Sequence, residues 1–161
     1  MQKITPCLWF DTEGEEAADL YASILPSSRI VEVTRYGSAG PRDEGTVMTV
    51  LFELVGQRFL ALNGGPDFKP NEAISFQIDC ESQEEVDSYW SRLSEGGEQG
   101  PCGWLKDRYG ISWQIVPKVL GQLLGDPDRE KAQRVMAAML KMGKIEIAEL
   151  ERAAEGAATP S

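Results

Sequence analysis

The sequence predicts an α+β domain built from two strand–helix–three-strand (βαβββ) modules and closed by C-terminal helices. Three observations predict it. Short stretches alternate apolar and polar side chains, most clearly where Ile111, Trp113 and Ile115 point one way and Ser112, Gln114 and Val116 the other. The chain also resembles itself: shifted by 68 positions, Asp11 falls on Asp79, Glu13 on Glu81, Glu16 on Glu84 and Asp19 on Asp87. Tyr21 then meets Tyr89, Ser23 meets Ser91 and Leu25 meets Leu93, seven identities over the fifteen positions 11–25. Beyond Pro117 the alternation gives way to helical spacing.

Residues 4–10 form the first expected strand, with Ile4, Leu8 and Phe10 on one side and Thr5, Cys7 and Trp9 on the other. Asp11 and Thr12 are candidate caps for a helix that buries Ala17, Ala18, Leu20, Tyr21, Ile24 and Leu25 and ends at Pro26. Strands are expected over 29–36, 46–54 and 57–62, the last two joined by Val55 and Gly56. Asn63-Gly64-Gly65-Pro66 and the residues to Pro70 separate the modules. The second module repeats the order: a strand over 73–80, a helix over 82–94 with Val86, Tyr89, Trp90 and Leu93 inward and Asp79 as its capping acid, then a hairpin over 103–117. Asp107 at the hairpin tip can bond the turn backbone. The modules, 1–63 and 71–117, are expected to share one core as a single structural domain, because neither has a comfortable apolar area alone. Residues 118–155 form a helical extension: a short turn over 119–124, then helices over 129–142 and 144–154, with a fraying tail. The stripe of Ala132, Val135, Met136, Met139 and Leu140 is either core or a dimer contact.

Composition narrows the function. Sixteen Lys and Arg against 26 Asp and Glu give a net charge of −10, so neither nucleic acid nor a membrane is an expected partner. No apolar run approaches the roughly 18–20 residues of a membrane helix, and the first nine residues lack the apolar centre of a secretory signal; a cytoplasmic protein is expected. Cys7, Cys80 and Cys102 are odd in number and expected as free thiols. The sequence contains no histidine, which removes histidine general bases, Ser–His or Cys–His pairs and imidazole-ligated zinc.

The strand faces away from the helices carry Thr5, Cys7 and Trp9, then Ser75 and Gln77, then Ser112 and Gln114, with Asn63 closing the set. This is a neutral, hydrogen-bonding lining with an aromatic wall, suited to a small polar or aromatic molecule. Glu53, Asp79, Asp107 and Tyr109 are the candidate acid–base groups. Asn63-Gly64-Gly65-Pro66 is the only glycine pair after a strand, and no helical pattern follows it as a nucleotide-binding turn requires.

The segments FDTEGEEAADLYASILP, ALNGGP, EAISFQIDC and GWLKDRYGISWQIVP resemble the PhnB-like branch of the vicinal oxygen chelate superfamily, in the group named after 3-demethylubiquinone-9 3-methyltransferase. The resemblance is expected to extend over almost the whole chain. It implies a glyoxalase/bleomycin-resistance fold, two βαβββ modules around a cup-shaped mixed sheet with helices outside, usually in a homodimer. It also implies a divalent metal held by four strand positions, which here are Thr5, Ala73, Leu60 or Ala61, and Gln114. These are neutral side chains, so no metal and no cofactor are expected. Two functions remain open: a metal-free small-molecule binder, and a lyase or transferase with a non-standard site.

Overall fold

The computed structural model describes residues 2–156, so the expected fraying of the tail lies outside the described residues. The chain divides into two compact units, Met1–Pro70 and Asn71–Ser161.

In the first unit, β1 (Cys7–Phe10), α1 (Gly14–Ile24), β2 (Arg29–Arg35), β3 (Val47–Leu54) and β4 (Gln57–Asn63) follow in order. They form one mixed sheet, β1-β4-β3-β2, in which β1 runs parallel to β4 and the other pairs are antiparallel. Ala17, Ala18 and Tyr21 of α1 are fully buried, as are Val50 and Phe52 of β3. Phe52 stacks on Phe59 at 5.5 Å, and Tyr21 lies 6.3 Å from Phe52, so the aromatic rings fill the space between helix and sheet. The β3–β4 turn has Val55 at φ 50° and Gly56 at φ 81°, the left-handed pair that matches the twist of a two-residue hairpin.

β1 starts at Cys7, not residue 4, and Ile4 is 83% exposed. Pro6 is the reason. It accepts from Leu60 N at 2.9 Å but has no N–H to give, so the ladder cannot run further back. Nor do Asp11 and Thr12 cap α1. Glu13 occupies the cap position, but its side chain accepts from Thr12 N and from no helix amide, and Gly14 N instead donates to Asn63 Oδ1 at 2.8 Å, across the unit from the end of β4.

In the second unit, β5 (Ser75–Cys80), α2 (Gln83–Ser94), β6 (Glu98–Gln99), β7 (Trp104–Lys106) and β8 (Ser112–Pro117) build the equivalent sheet, β5-β8-β7-β6, again with the first and last strands parallel. Same order, same pairing: the repeat read from the sequence is a repeat of topology. α2 is capped by Ser82, whose hydroxyl accepts from Glu85 N, not by Asp79, which lies in β5 and accepts from Gln77 Nε2 at 2.9 Å. β5 starts two residues later than expected, leaving Ile74 74% exposed.

The extension belongs to this unit. α3 (Lys118–Leu124), α4 (Arg129–Met139) and α5 (Ile147–Glu155) enclose Leu120, Val135, Ile145, Leu150 and Ala154, with Met139 and Met142 packed against them. Part of the methionine stripe is therefore core, while Leu140 stays 61% exposed. Gln83 ties the extension to α2: its Nε2 donates to Ile145 O at 3.0 Å and its Oε1 accepts from Ile147 N at 2.8 Å. α4 stops at Met139 and α5 starts at Ile147, so the link between them is longer than the sequence pattern suggested.

Candidate functional site

Strand register decides which side chains share a face. In the second sheet, Ser75 pairs with Ser112, Ser112 with Lys106, and Lys106 with Glu98, a row across all four strands. The next row is Gln77, Gln114 and Trp104. Phe76, Ile78, Trp113, Ile115 and Leu105 occupy the opposite parity, on the side of Val86, Trp90 and Leu93 of α2. Ser75, Gln77, Ser112 and Gln114 thus lie together, as their alternation suggested. Trp104, Lys106 and Glu98 join them from β7 and β6, strands of three and two residues that are too short to show a period.

A cleft of about 450 Å³ opens beside this face, lined by Glu72, Glu98, Lys106 and Ser112 among the polar residues, and by Pro101, Cys102, Trp104 and Leu105 among the apolar ones. Lys106 Nζ reaches Glu72 Oε2 at 2.8 Å, and that contact lowers the glutamate's pKa and raises the lysine's. Gln114 Nε2 donates to Ser75 Oγ at 2.9 Å, and Gln77 donates to Asp79. Ser112 differs from these. It is 1% exposed, and its Oγ has no hydrogen-bond partner among the described residues. A buried hydroxyl left in that state costs about 1–3 kcal/mol.

The first sheet presents Cys7, Leu60 and Leu51 in one row and Trp9, Leu62, Thr49 and Thr34 in the next. Its hydrogen-bonding capacity is largely occupied internally. Trp9 Nε1 donates to Gly65 O at 2.9 Å with Phe68 edge-on to its ring at 4.8 Å, and Thr34 and Thr49 bond each other. Thr5 precedes β1 and is exposed. Asn63 is a correction. It pairs with Phe10 on the opposite parity, is 6% exposed, and uses its amide on Gly14 N, Thr12 O and Val47 O, so it holds the fold and lines no ligand face.

The other candidate groups have structural partners. Glu53 faces Arg29 and Arg58 at 3.3 and 3.8 Å. Asp107 is 2% exposed and accepts from Tyr109 N, Ile111 N and Trp113 Nε1. All three cysteines are free. Partial desolvation raises the pKa of Cys7, which stays exposed, and burial with the nearby Glu85 and Asp79 charges pushes Cys80 up to about 12, so these are neutral thiols at pH 7, not activated nucleophiles. A maleimide is expected to label Cys7 in the folded protein and Cys80 only after denaturation, as checked by peptide mass spectrometry.

The four metal positions can be placed as well. Since Trp9 pairs with Leu62 as Gln77 pairs with Gln114, the counterpart of Gln114 is Leu62, not the Leu60 or Ala61 expected from the sequence. Thr5 and Ala73 lie outside the strands. A threonine, an alanine, a leucine and a glutamine do not make a divalent-cation site, and among the described residues there is no cluster of three or more His, Cys, Asp or Glu that could hold an ion.

Compared with known structures, the chain is similar to the PhnB protein from Bacillus cereus, with 36% identity, 72% of this chain and 99% of that one covered, and a TM-score of 0.65. It shares its fold with a protein from Pseudomonas aeruginosa (20% identity, 73% and 98% covered, TM-score 0.62) and with the fosfomycin resistance protein FosX from Listeria monocytogenes (14% identity, 78% and 98% covered, TM-score 0.55). No curated protein matches it. These likenesses define the glyoxalase/bleomycin-resistance fold of the vicinal oxygen chelate superfamily. Residues 2–116 match the model of the 3-demethylubiquinone-9 3-methyltransferase family, and the chain belongs to that PhnB-like family. The match ends before α3, so it covers less of the chain than expected from the sequence.

Proposed function

We propose that the chain is a binding protein for a small polar molecule with aromatic or flat apolar character, held on the hydroxyl-bearing face of the second sheet without a divalent ion. The observation that carries this is Ser112, a buried hydroxyl lacking a partner in a residue that lines a cleft large enough for a small metabolite. A ligand oxygen or nitrogen meeting Ser112 Oγ recovers the hydrogen bond that the free protein lacks. Trp104 supplies a flat wall beside it.

A metabolite screen read by the Trp104 indole resonance and by melting temperature tests the proposal. Ligands are expected to shift both, with and without EDTA. Affinity that requires added Mn²⁺ or Zn²⁺, or hits that leave the Trp104 signal in place, would overturn it. Ser112→Ala separates stability from binding: the free protein is expected to be as stable or more so, by up to about 1 kcal/mol, because an unpaired buried hydroxyl is gone. Affinity for any hit is expected to fall roughly tenfold, the worth of one good hydrogen bond.

The same proposal takes the protein to be cytoplasmic and homodimeric. Supporting it, no helix among the described residues is long and apolar enough to cross a membrane, and Leu51, Leu60 and Leu62 remain partly accessible on the first sheet. The net charge of −10 argues against nucleic-acid partners. Sedimentation equilibrium is expected to give twice the 17.7 kDa chain mass.

A further inference from the structure

We propose that the cleft of the second unit takes an organic cation, an ammonium group on a flat apolar body, with the charge between Glu72 and Glu98 and the body against Trp104. The proposal rests on the binding role just given to this cleft and adds the chemical class of its occupant.

The cleft lining carries two carboxylates, Glu72 and Glu98, and one ammonium, Lys106. Its formal charge is therefore −1, in a chain that is itself acidic. An entering anion meets a lysine already engaged by Glu72 and flanked by a second acid that is its direct strand partner. An entering cation meets the excess carboxylate. The apolar lining, Pro101, Trp104 and Leu105 with Cys102, offers area to a hydrocarbon body, and an indole face attracts a cation placed over it.

Lys106 has a second role in this arrangement. It is the strand partner of Ser112 on the same face, and the Ser112 hydroxyl is shut off from solvent. The two side chains are therefore neighbours across the strands, with the ammonium drawn toward Glu72. The Lys106–Glu72 pair is exposed, with side chains 40% and 65% accessible, and solvent screening leaves such pairs weak. A ligand ammonium can replace Lys106 at Glu72 and bring a polar atom of the ligand to Ser112, which lines the same cleft. Lys106 is then a competitor for the site, not a ligand to it.

The test is calorimetric titration of the full chain with three probes of one shape: phenethylamine, phenethyl alcohol and 3-phenylpropionate. The amine is expected to bind roughly tenfold more tightly than the alcohol, the combined worth of one ion pair and one cation–π contact, and the propionate least well. Glu98→Gln is expected to remove several-fold of the amine's advantage and leave the alcohol unchanged, and added salt to act like Glu98→Gln. Lys106→Ala is expected to strengthen amine binding, whereas an anion site would lose its ligand. Equal affinity for amine and alcohol, or weaker amine binding in Lys106→Ala, overturns the cation assignment and leaves the binding role standing. If none of the three probes moves the Trp104 indole resonance at millimolar concentration, both fail.

Discussion

Asp107→Ala is expected to destabilise the second unit by about 3 kcal/mol, because one carboxylate there holds an entire turn. Its Oδ1 accepts from Tyr109 N at 2.8 Å and Ile111 N at 3.0 Å, and its Oδ2 accepts from Trp113 Nε1 at 2.9 Å. The side chain is 2% exposed, so water cannot replace it at these donors. Hydrogen bonds to a charged group contribute about 1.5–3 kcal/mol each and do not add fully. Asp107→Asn keeps an oxygen for the two backbone donors but turns an NH₂ toward the indole N–H, and is expected to lose roughly half as much. Urea unfolding checks both, and a loss below about 1 kcal/mol for the alanine variant would refute the role. The consequence reaches the ligand face. The turn joins β7, which carries Trp104, to β8, which carries Ser112, so Asp107→Ala is expected to weaken ligand binding as well as folding.

The sequence showed the fold because both of its signals are periodic. Alternation over residues 111–116 and 73–80 set which face Ser112, Gln114, Ser75 and Gln77 occupy, and the 68-residue offset matched Cys7 and Trp9 of the first strand to Ser75 and Gln77. What stayed hidden depends on register or on distance along the chain. Pro6 truncates β1 by withholding a donor, which alternation does not register. Asp11, Thr12 and Asp79 satisfy the local rule for a helix cap, yet Ser82 caps α2 and the first amide of α1 is met by a residue 49 positions away. Parity alone could have moved Asn63 to the helix side, since Leu60 and Leu62 alternate with Ala61 and Asn63. Lys106, Trp104 and Glu98 could be placed beside Ser112 only from strand pairing.

The same distinction separates the family's reputation from this chain's chemistry. Membership is plain from the match over residues 2–116, but a methyl transfer step needs groups to bind a cofactor and orient a substrate. Among the described residues, the candidate acids Glu53, Asp79 and Asp107 each serve a strand, a neighbour or a turn, and none of them lines the cleft. The face lining the cleft is neutral at Ser112 and Trp104 and carries Glu72, Glu98 and Lys106 as its charged groups.

Asn63 carries the second large effect, and its partners predict a specific pattern. Asn63→Ala is expected to cost about 2–3 kcal/mol, because Gly14 N, Thr12 O and Val47 O all lose a partner inside the first unit. Asn63→Asp keeps the acceptor for Gly14 N but replaces the amide donor with an oxygen facing two carbonyls. Burial and those carbonyls raise the folded pKa of the new acid above its unfolded value near about 3.9. Its contribution is therefore fully present below the unfolded pKa and lost as pH rises through the folded one, so the deficit relative to wild type is expected to shrink on acidification. Gly14 completes the test. A Cβ there would stand 2.6 Å from Asn63 Oδ1 and 3.2 Å from Ala61 Cβ, so Gly14→Ala is also expected to destabilise. If the two residues act through that one contact, removing Asn63 relieves most of the clash, and the double variant loses less than the sum of the singles by roughly 1 kcal/mol or more. Strict additivity in urea titrations would show that Asn63 supports the sheet through Val47 and Thr12 alone, not through the start of α1.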